Sequence, residues 1–206
     1  MKTIAHNFSV SMIFVLTLLF SSLVSHGQHQ KMPKVKNPSG QGFIPCGSCE
    51  QPSSIAAETT ISLGEKGDRL AISGTVFKAD GKTPANGIIL FFYHTDATGH
   101  YNTEDDPNDP RLKGWVKTDT NGHYKFTTIK PAPYPQRSVP AHIHVHLFNK
   151  DLPENWIDDF WFMGDPFIKD SDKIEFESRG DFSPIVRLTK GDDGVLKGTR
   201  NILLKK

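Results

Sequence analysis

The sequence predicts an all-β domain, an antiparallel β-sandwich, on three observations. Short runs rich in β-branched and aromatic residues, such as residues 88–94 and 142–148, are separated by clusters of Gly, Asn, Asp and Pro. Several of these runs alternate apolar with polar residues, the period-two pattern of a half-buried strand. No long amphipathic helical stretch interrupts them, and no repeat of roughly 20 to 50 residues is visible.

Residues 1–27 read as an export signal. Lys2 supplies the positive start, residues 10–24 are largely apolar, and Ser25 and Gly27 offer small residues for cleavage before Gln28. The apolar run is too short and too interrupted by hydroxyls for a firm membrane span, which takes about 20 apolar residues. An uncleaved amino-terminal anchor is the alternative; either way the body is expected outside the cytoplasm, in the periplasm or the medium, with no stable membrane insertion once the signal is removed.

Residues 28–60 are rich in Gly, Pro, Ser, Gln and Lys and poor in apolar side chains, so they cannot bury enough surface to offset ordering entropy. They are expected to form an extended leader. Within it Cys46 and Cys49 are expected to close a local disulfide, with a redox or metal-binding CxxC as the alternative. Neither cysteine follows the apolar run directly, so no lipid anchor is read.

The sandwich domain is expected over residues 61–206. Residues 70–77 form its first strand, and the Asp80-Gly81 and Asn86-Gly87 turns lead into a strongly apolar second strand, 88–94. Residues 115–118 and 123–128 flank Asp119-Thr120-Asn121-Gly122, which predicts a hairpin. Residues 142–148 place His142, His144 and His146 on one face and Ile143, Val145 and Leu147 on the other, which belongs in the core. Periodicity leaves residues 155–162 open between helix and strand. Residues 185–188 and 199–204 read as closing strands around Gly191-Asp192-Asp193-Gly194.

The 206 residues carry 24 Lys and Arg against 23 Asp and Glu, for a formal charge of +1. That balance supplies no field for nucleic acid or an anionic surface, and a small or neutral substrate is expected. The oligomeric state stays open, a homo-oligomer included.

His142 and His144, two apart on a strand, point both imidazoles to one side, which suits a metal ion. Tyr134 lies between Pro133 and Pro135, which restrict its backbone, and Tyr101 follows Gly99-His100 in a turn after an apolar strand. Two phenols with two imidazoles favour a hard, highly charged ion such as Fe(III), because a phenol titrates near ~10 and needs a strong Lewis acid to bind as phenolate. Two plainer readings stand beside this one. Each of Tyr93, Tyr101, Tyr124 and Tyr134 could be an ordinary half-buried residue, and His146 extends the stripe to a three-histidine Zn or Cu set. Asp105, Asp106, Asp109 and Asp119 lack EF-hand spacing and read as solvated loop. Trp115, Trp156 and Trp161 are candidates to frame an aromatic pocket, with core packing as the default.

The stretch from Gly114 to Pro135, followed by Pro140-Ala141-His142-Ile143-His144, resembles the intradiol ring-cleavage dioxygenases. The likeness extends upstream through Gly74-Thr75-Val76 and Asp96 to Tyr101, downstream to Phe162-Met163-Gly164-Asp165-Pro166, and covers the chain from about Leu63 onward. It implies a prealbumin-like β-sandwich whose long loops form a non-haem Fe(III) site. It further implies Tyr101, Tyr134, His142 and His144 as ligands, a catechol-type substrate, O2 as partner and muconate-type products, with no organic cofactor. Tyr134 would be the phenolate released on substrate chelation and the acceptor of a substrate proton.

Two positions depart from the family pattern. Val139 stands where an arginine stabilises substrate charge, and Asp159 where a glutamine is usual. Arg137 is the candidate to supply the missing cation, with Arg111 and Lys113 as alternatives. These departures motivate a further alternative, an inactive extracellular binding sandwich.

Overall fold

The computed structural model describes residues 52–62, 64–104, 106, 109–149 and 155–205, with backbone alone at Asn155 and Trp156. The export segment and the Cys46/Cys49 pair lie outside the described residues. Among the described residues no helix is long and apolar enough to cross a membrane.

Two six-stranded sheets form the body. The first runs β1 (Glu58–Thr60), β5 (His123–Ile129), β2 (Arg69–Phe77), β11 (Leu196–Thr199), β10 (Thr189–Lys190), with β12 (Ile202–Leu203) also on β2. The second runs β4 (Leu112–Lys117), β3 (Ile89–His94), β6 (His142–Phe148), β8 (Phe160–Phe162), β9 (Ile185–Val186), with β7 (Asn155–Trp156) also on β6. One helix of note, α1 (Asp170–Glu177), packs its Phe176 against Trp161 of β8 in the second sheet.

Alternation makes the sandwich. Leu70, Ile72, Val76, Tyr124 and Phe126 of the first sheet face Leu90, Phe92, Ile143, Val145 and Phe160 of the second in one continuous buried cluster. Phe92 and Phe126 stack across the gap with centroids 4.0 Å apart. Each such side chain contributes about 1.5–3 kcal/mol by leaving water, so period-two patterning is enough to bring the sheets together.

The antiparallel sandwich is found, with additions and corrections. The β1–β5, β2–β11, β2–β12 and β8–β9 pairs are parallel. The leader does not end at residue 60 in the sense expected, because Glu58–Thr60 pair with Lys125 to Thr127. The hairpin expected around Asn121-Gly122 is not one. The turn forms, with Asp119 Oδ1 accepting from the Asn121 and His123 amides, but β4 pairs β3 while β5 pairs β2, in separate sheets. The turn reports only that the chain reverses; the pairing partners are decided by placing Phe126 opposite Phe92 across the core. Residues 155–162 resolve into two short strands, not a helix. The closing segments divide too: β9 joins the second sheet, and β10 and β11 form the hairpin around Gly191 to Gly194.

Candidate metal centre

β6 supplies two imidazoles. His142 and His144 share a face, as period two requires, and each has one ring nitrogen engaged behind it. His142 Nδ1–H donates to the Pro140 carbonyl at 2.6 Å, and His144 Nδ1–H to Asp159 Oδ2 at 3.0 Å. With both Nδ1 atoms acting as donors, both Nε2 lone pairs face forward, 3.1 Å apart. Two acceptors converging so closely need phenol protons or a shared cation between them.

Two loops supply the phenols. After β3, the Asp96 carboxylate accepts from the Thr98 amide and hydroxyl and the His100 amide, curling the chain so that Tyr101 turns inward. Gly99 is required there: its φ is +90°, and a Cβ would lie 2.3 Å from the Pro133 carbonyl oxygen. That approach locks the first loop onto the proline-rich one. Ala132 N–H donates to Asp96 O at 3.0 Å and the Thr95 hydroxyl to Ala132 O at 2.8 Å. Tyr134 is thereby set beside Tyr101, and their hydroxyls meet.

The four donor atoms converge. Tyr134 Oη is 3.1 Å from both His142 Nε2 and His144 Nε2, and Tyr101 Oη is 2.9 Å from His144 Nε2. Tyr134 Oη thus touches the other three donor atoms, which leaves two imidazole nitrogens and two phenol oxygens within reach of one ion. The donor set therefore fits a single small, highly charged ion. Burial, then the neighbouring Tyr134, pushes the Tyr101 phenol well above its ordinary value, so phenolate at neutral pH requires such an ion beside it. Burial and then His144 hold His142 below the ordinary imidazole range, in the neutral form a metal binds.

Among the described residues, His142, His144 and Asp159 place ligand-type atoms within 4.8 Å of one another. Asp159 nevertheless meets Nδ1 of His144, whereas the tyrosines meet Nε2. A ring that binds metal through Nε2 uses Asp159 as its orienting acceptor, not as a fellow ligand. Burial raises the Asp159 carboxyl, but His144, with His142 and His146, more than offsets this and leaves it below the usual range.

The three-histidine set does not assemble. His146 sits four residues from His142 on an extended strand, about 13 Å away at ~3.3 Å per residue. Its ring stacks on Tyr93, centroids 5.8 Å apart at 8°, and burial, then His144, holds it neutral with a pKa of about 4. Tyr93 was not singled out by the sequence for this place. It lies opposite His144 in the β3–β6 register and stacks on that ring at 4.6 Å. Its alternation with core-facing Phe92 marked the outward direction, but the register that pairs it with His144 was not readable.

The candidate cations separate clearly. Arg111 is engaged by Glu65 and Asp96, and Lys113 by Asp109. Arg137 instead lies over the Tyr134 ring, 5.6 Å from its centroid, after a Gln136 held at φ 61°. Val139 is partly exposed. Trp115 stacks on Phe91 in the aromatic cluster behind Tyr93, and Trp161 packs on Phe176, so both serve packing; the side chain of Trp156 lies outside the described residues. Tyr124 is a core residue whose hydroxyl donates to Arg200 O.

Residues 43–181 match the model of a protein family described as dioxygenase. The chain is 28% identical over 164 residues to the protocatechuate 3,4-dioxygenase beta chain of Burkholderia cepacia, covering 72% of this chain and 69% of the relative. It is 31% identical over 150 residues to catechol 1,2-dioxygenase 1 of Acinetobacter lwoffii, covering 64% of this chain but 47% of that relative, about half its length. In fold it is similar to the dioxygenase domain of a dioxygenase–carbohydrate-binding fusion protein from Streptomyces sp. SirexAA-E, with TM-score 0.57, 23% identity, and coverage of 84% of this chain and 99% of the other.

Proposed function

Because the chain belongs to the intradiol ring-cleavage dioxygenase family, we propose that it is an exported non-haem Fe(III) enzyme that opens catechol-type rings between the two hydroxylated carbons with O2. The observation that carries this reading is the convergence of Tyr101, Tyr134, His142 and His144 on one point. Ferric ion held there would supply a Lewis acid that binds both catechol oxygens and draws ring electron density toward itself, opening a ring carbon to direct reaction with O2.

The protein side divides into distinct tasks. Tyr101 is 5% exposed and enclosed by Tyr93 and Tyr134, which supports it as the phenolate that would stay in place. Tyr134 is more accessible, on the proline-flanked loop, and would be the phenolate that holds a proton taken from a substrate hydroxyl. His142 and His144 stay in place, one tied to a backbone carbonyl and the other to Asp159. Arg137, above the Tyr134 ring, supplies the positive charge toward the substrate side that Val139 cannot.

The test is O2 uptake by the iron-loaded protein with catechol, protocatechuate and hydroxyquinol. Turnover of at least one, giving a ring-opened dicarboxylate with both atoms of labelled O2, is expected. Absence of uptake with stoichiometric iron bound would favour the binding-module reading that Val139 motivates.

A further inference from the structure

Arg200, between β11 and β12, is fixed through its backbone. Its amide donates to Ser73 O at 2.9 Å, and its carbonyl accepts from the Tyr124 hydroxyl at 2.7 Å. Gly74 makes this approach possible, since a Cβ there would stand 1.8 Å from the Arg200 carbonyl oxygen. The side chain that this backbone carries into the protein is 4% exposed, its guanidinium carbon 4.2 Å from the centre of the Phe160 ring. Nε and Nη1 are buried and meet no acceptor, and they are the atoms so left among the described residues. The face of Phe160 offsets part of that deficit. It supplies no lone pair for either N–H, and a buried cation without a hydrogen-bonded counter-charge is strongly disfavoured.

Arg200 also lines a cavity of about 540 Å³, together with Ile157, Asp158, Arg179, Phe182 and Leu203. That volume suits a small organic ligand. Asp158 and Asp159 act on Arg200 through space only, because Asp158 is paired with Arg179, which Glu175 shares, and Asp159 with His144. Burial lowers the guanidinium to about 10, so it remains charged at neutral pH. The wall therefore combines a nearly buried cation that lacks hydrogen-bond acceptors at two of its nitrogens with an apolar surface.

We propose that this cavity is a binding site for a small organic carboxylate, its carboxylate on the Arg200 guanidinium and its apolar body against Ile157, Phe182 and Leu203. Arginine suits the role, since its forked N–H groups match the two oxygens of a carboxylate. The site is separate from the metal centre and does not depend on the dioxygenase reading.

The experiment is calorimetric titration of the intact protein with benzoate and with uncharged benzamide, anaerobically under saturating catechol so that the metal centre is blocked. Benzoate is expected to saturate one site at least about tenfold more tightly than benzamide. Arg200→Met should abolish that preference, and Arg200→Lys should keep part of it. Removing an unpaired buried charge should leave Arg200→Met with a Tm at or above the parent's. Equal binding of benzoate and benzamide, displacement of benzoate by catechol, or undiminished preference in Arg200→Met would overturn the proposal. So would parent crystals soaked in 4-bromobenzoate that show no anomalous bromine signal beside Arg200, a measurement that stands even where the variant fails to fold.

Discussion

β6 carries two kinds of requirement back to back. Ile143, Val145 and Leu147 enter a core where volume and apolarity suffice, and neighbours from either sheet can adjust around them. His142 and His144 on the opposite face depend on groups delivered from elsewhere: the Pro140 carbonyl, the Asp159 carboxylate, and phenols from two separate loops. One face is redundant and the other is not. Damage to the core should therefore appear as lost stability, and damage to the outer face as lost metal with the fold intact.

The largest effect on stability is expected on the core side. Phe92→Ala removes the ring that stacks on Phe126 between the sheets and should cost about 3–5 kcal/mol in urea unfolding. A loss under about 1 kcal/mol would mean the sheets are not held together there.

Next comes pH. His94 is fully buried on β3, donating from Nδ1 to Thr95 O and accepting at Nε2 from the Thr128 hydroxyl, both at 2.7 Å. Burial holds its pKa at about 4 against an unfolded value of 6.5. The neutral ring is thus favoured by folding, and its contribution is fully present above pH 6.5 and lost as pH falls toward 4. The total is about 3 kcal/mol. Stability measured between pH 7 and 4 should fall less steeply in His94→Gln; identical slopes would remove His94 as the cause.

On the outer face, Asp159→Asn keeps a hydrogen-bond acceptor for His144 but removes the charge. Metal affinity should drop about 10- to 100-fold, with unfolding free energy of the metal-free protein changed by less than about 1 kcal/mol. Unchanged affinity would make Asp159 a packing residue. The smallest effect is expected at Arg137, whose exposed guanidinium acts through solvent. Arg137→Ala should lower kcat/KM roughly tenfold, less at high salt. An effect insensitive to ionic strength would argue against a charge role.

The same divide between the two faces of β6 separates what residue order records from what it does not. Strand β6 was legible with both faces assigned, because period two alone decides which side chains share a face. The hairpin at Asn121-Gly122 was not, because a turn signal is local whereas the pairing of β5 with β2 is set some fifty residues away. The histidine pair and the proline-bracketed Tyr134 were visible from residue types. That Tyr101 reaches the same point depends on Asp96 and Gly99 docking one loop on another, which periodicity does not record. Residues alone left zinc and iron open, and the resemblance supplied the tyrosine pair. Asp159 lay in a stretch where helix and strand could not be told apart, so its contact with His144 became visible only once Phe160–Phe162 took its place beside β6. Arg200 had no sequence signal, because an unpaired buried cation is a property of packing.

The central claim, a ferric ion bound by paired phenolates and imidazoles, is tested most directly by the visible absorption of the iron-loaded protein. Tyrosinate on Fe(III) gives a ligand-to-metal charge-transfer band, so a red-brown protein with one iron per chain is expected. The band should shift or weaken in Tyr134→Phe and persist in Tyr124→Phe. A colourless protein with stoichiometric zinc, or iron bound without a band that responds to Tyr101→Phe and Tyr134→Phe, would contradict it.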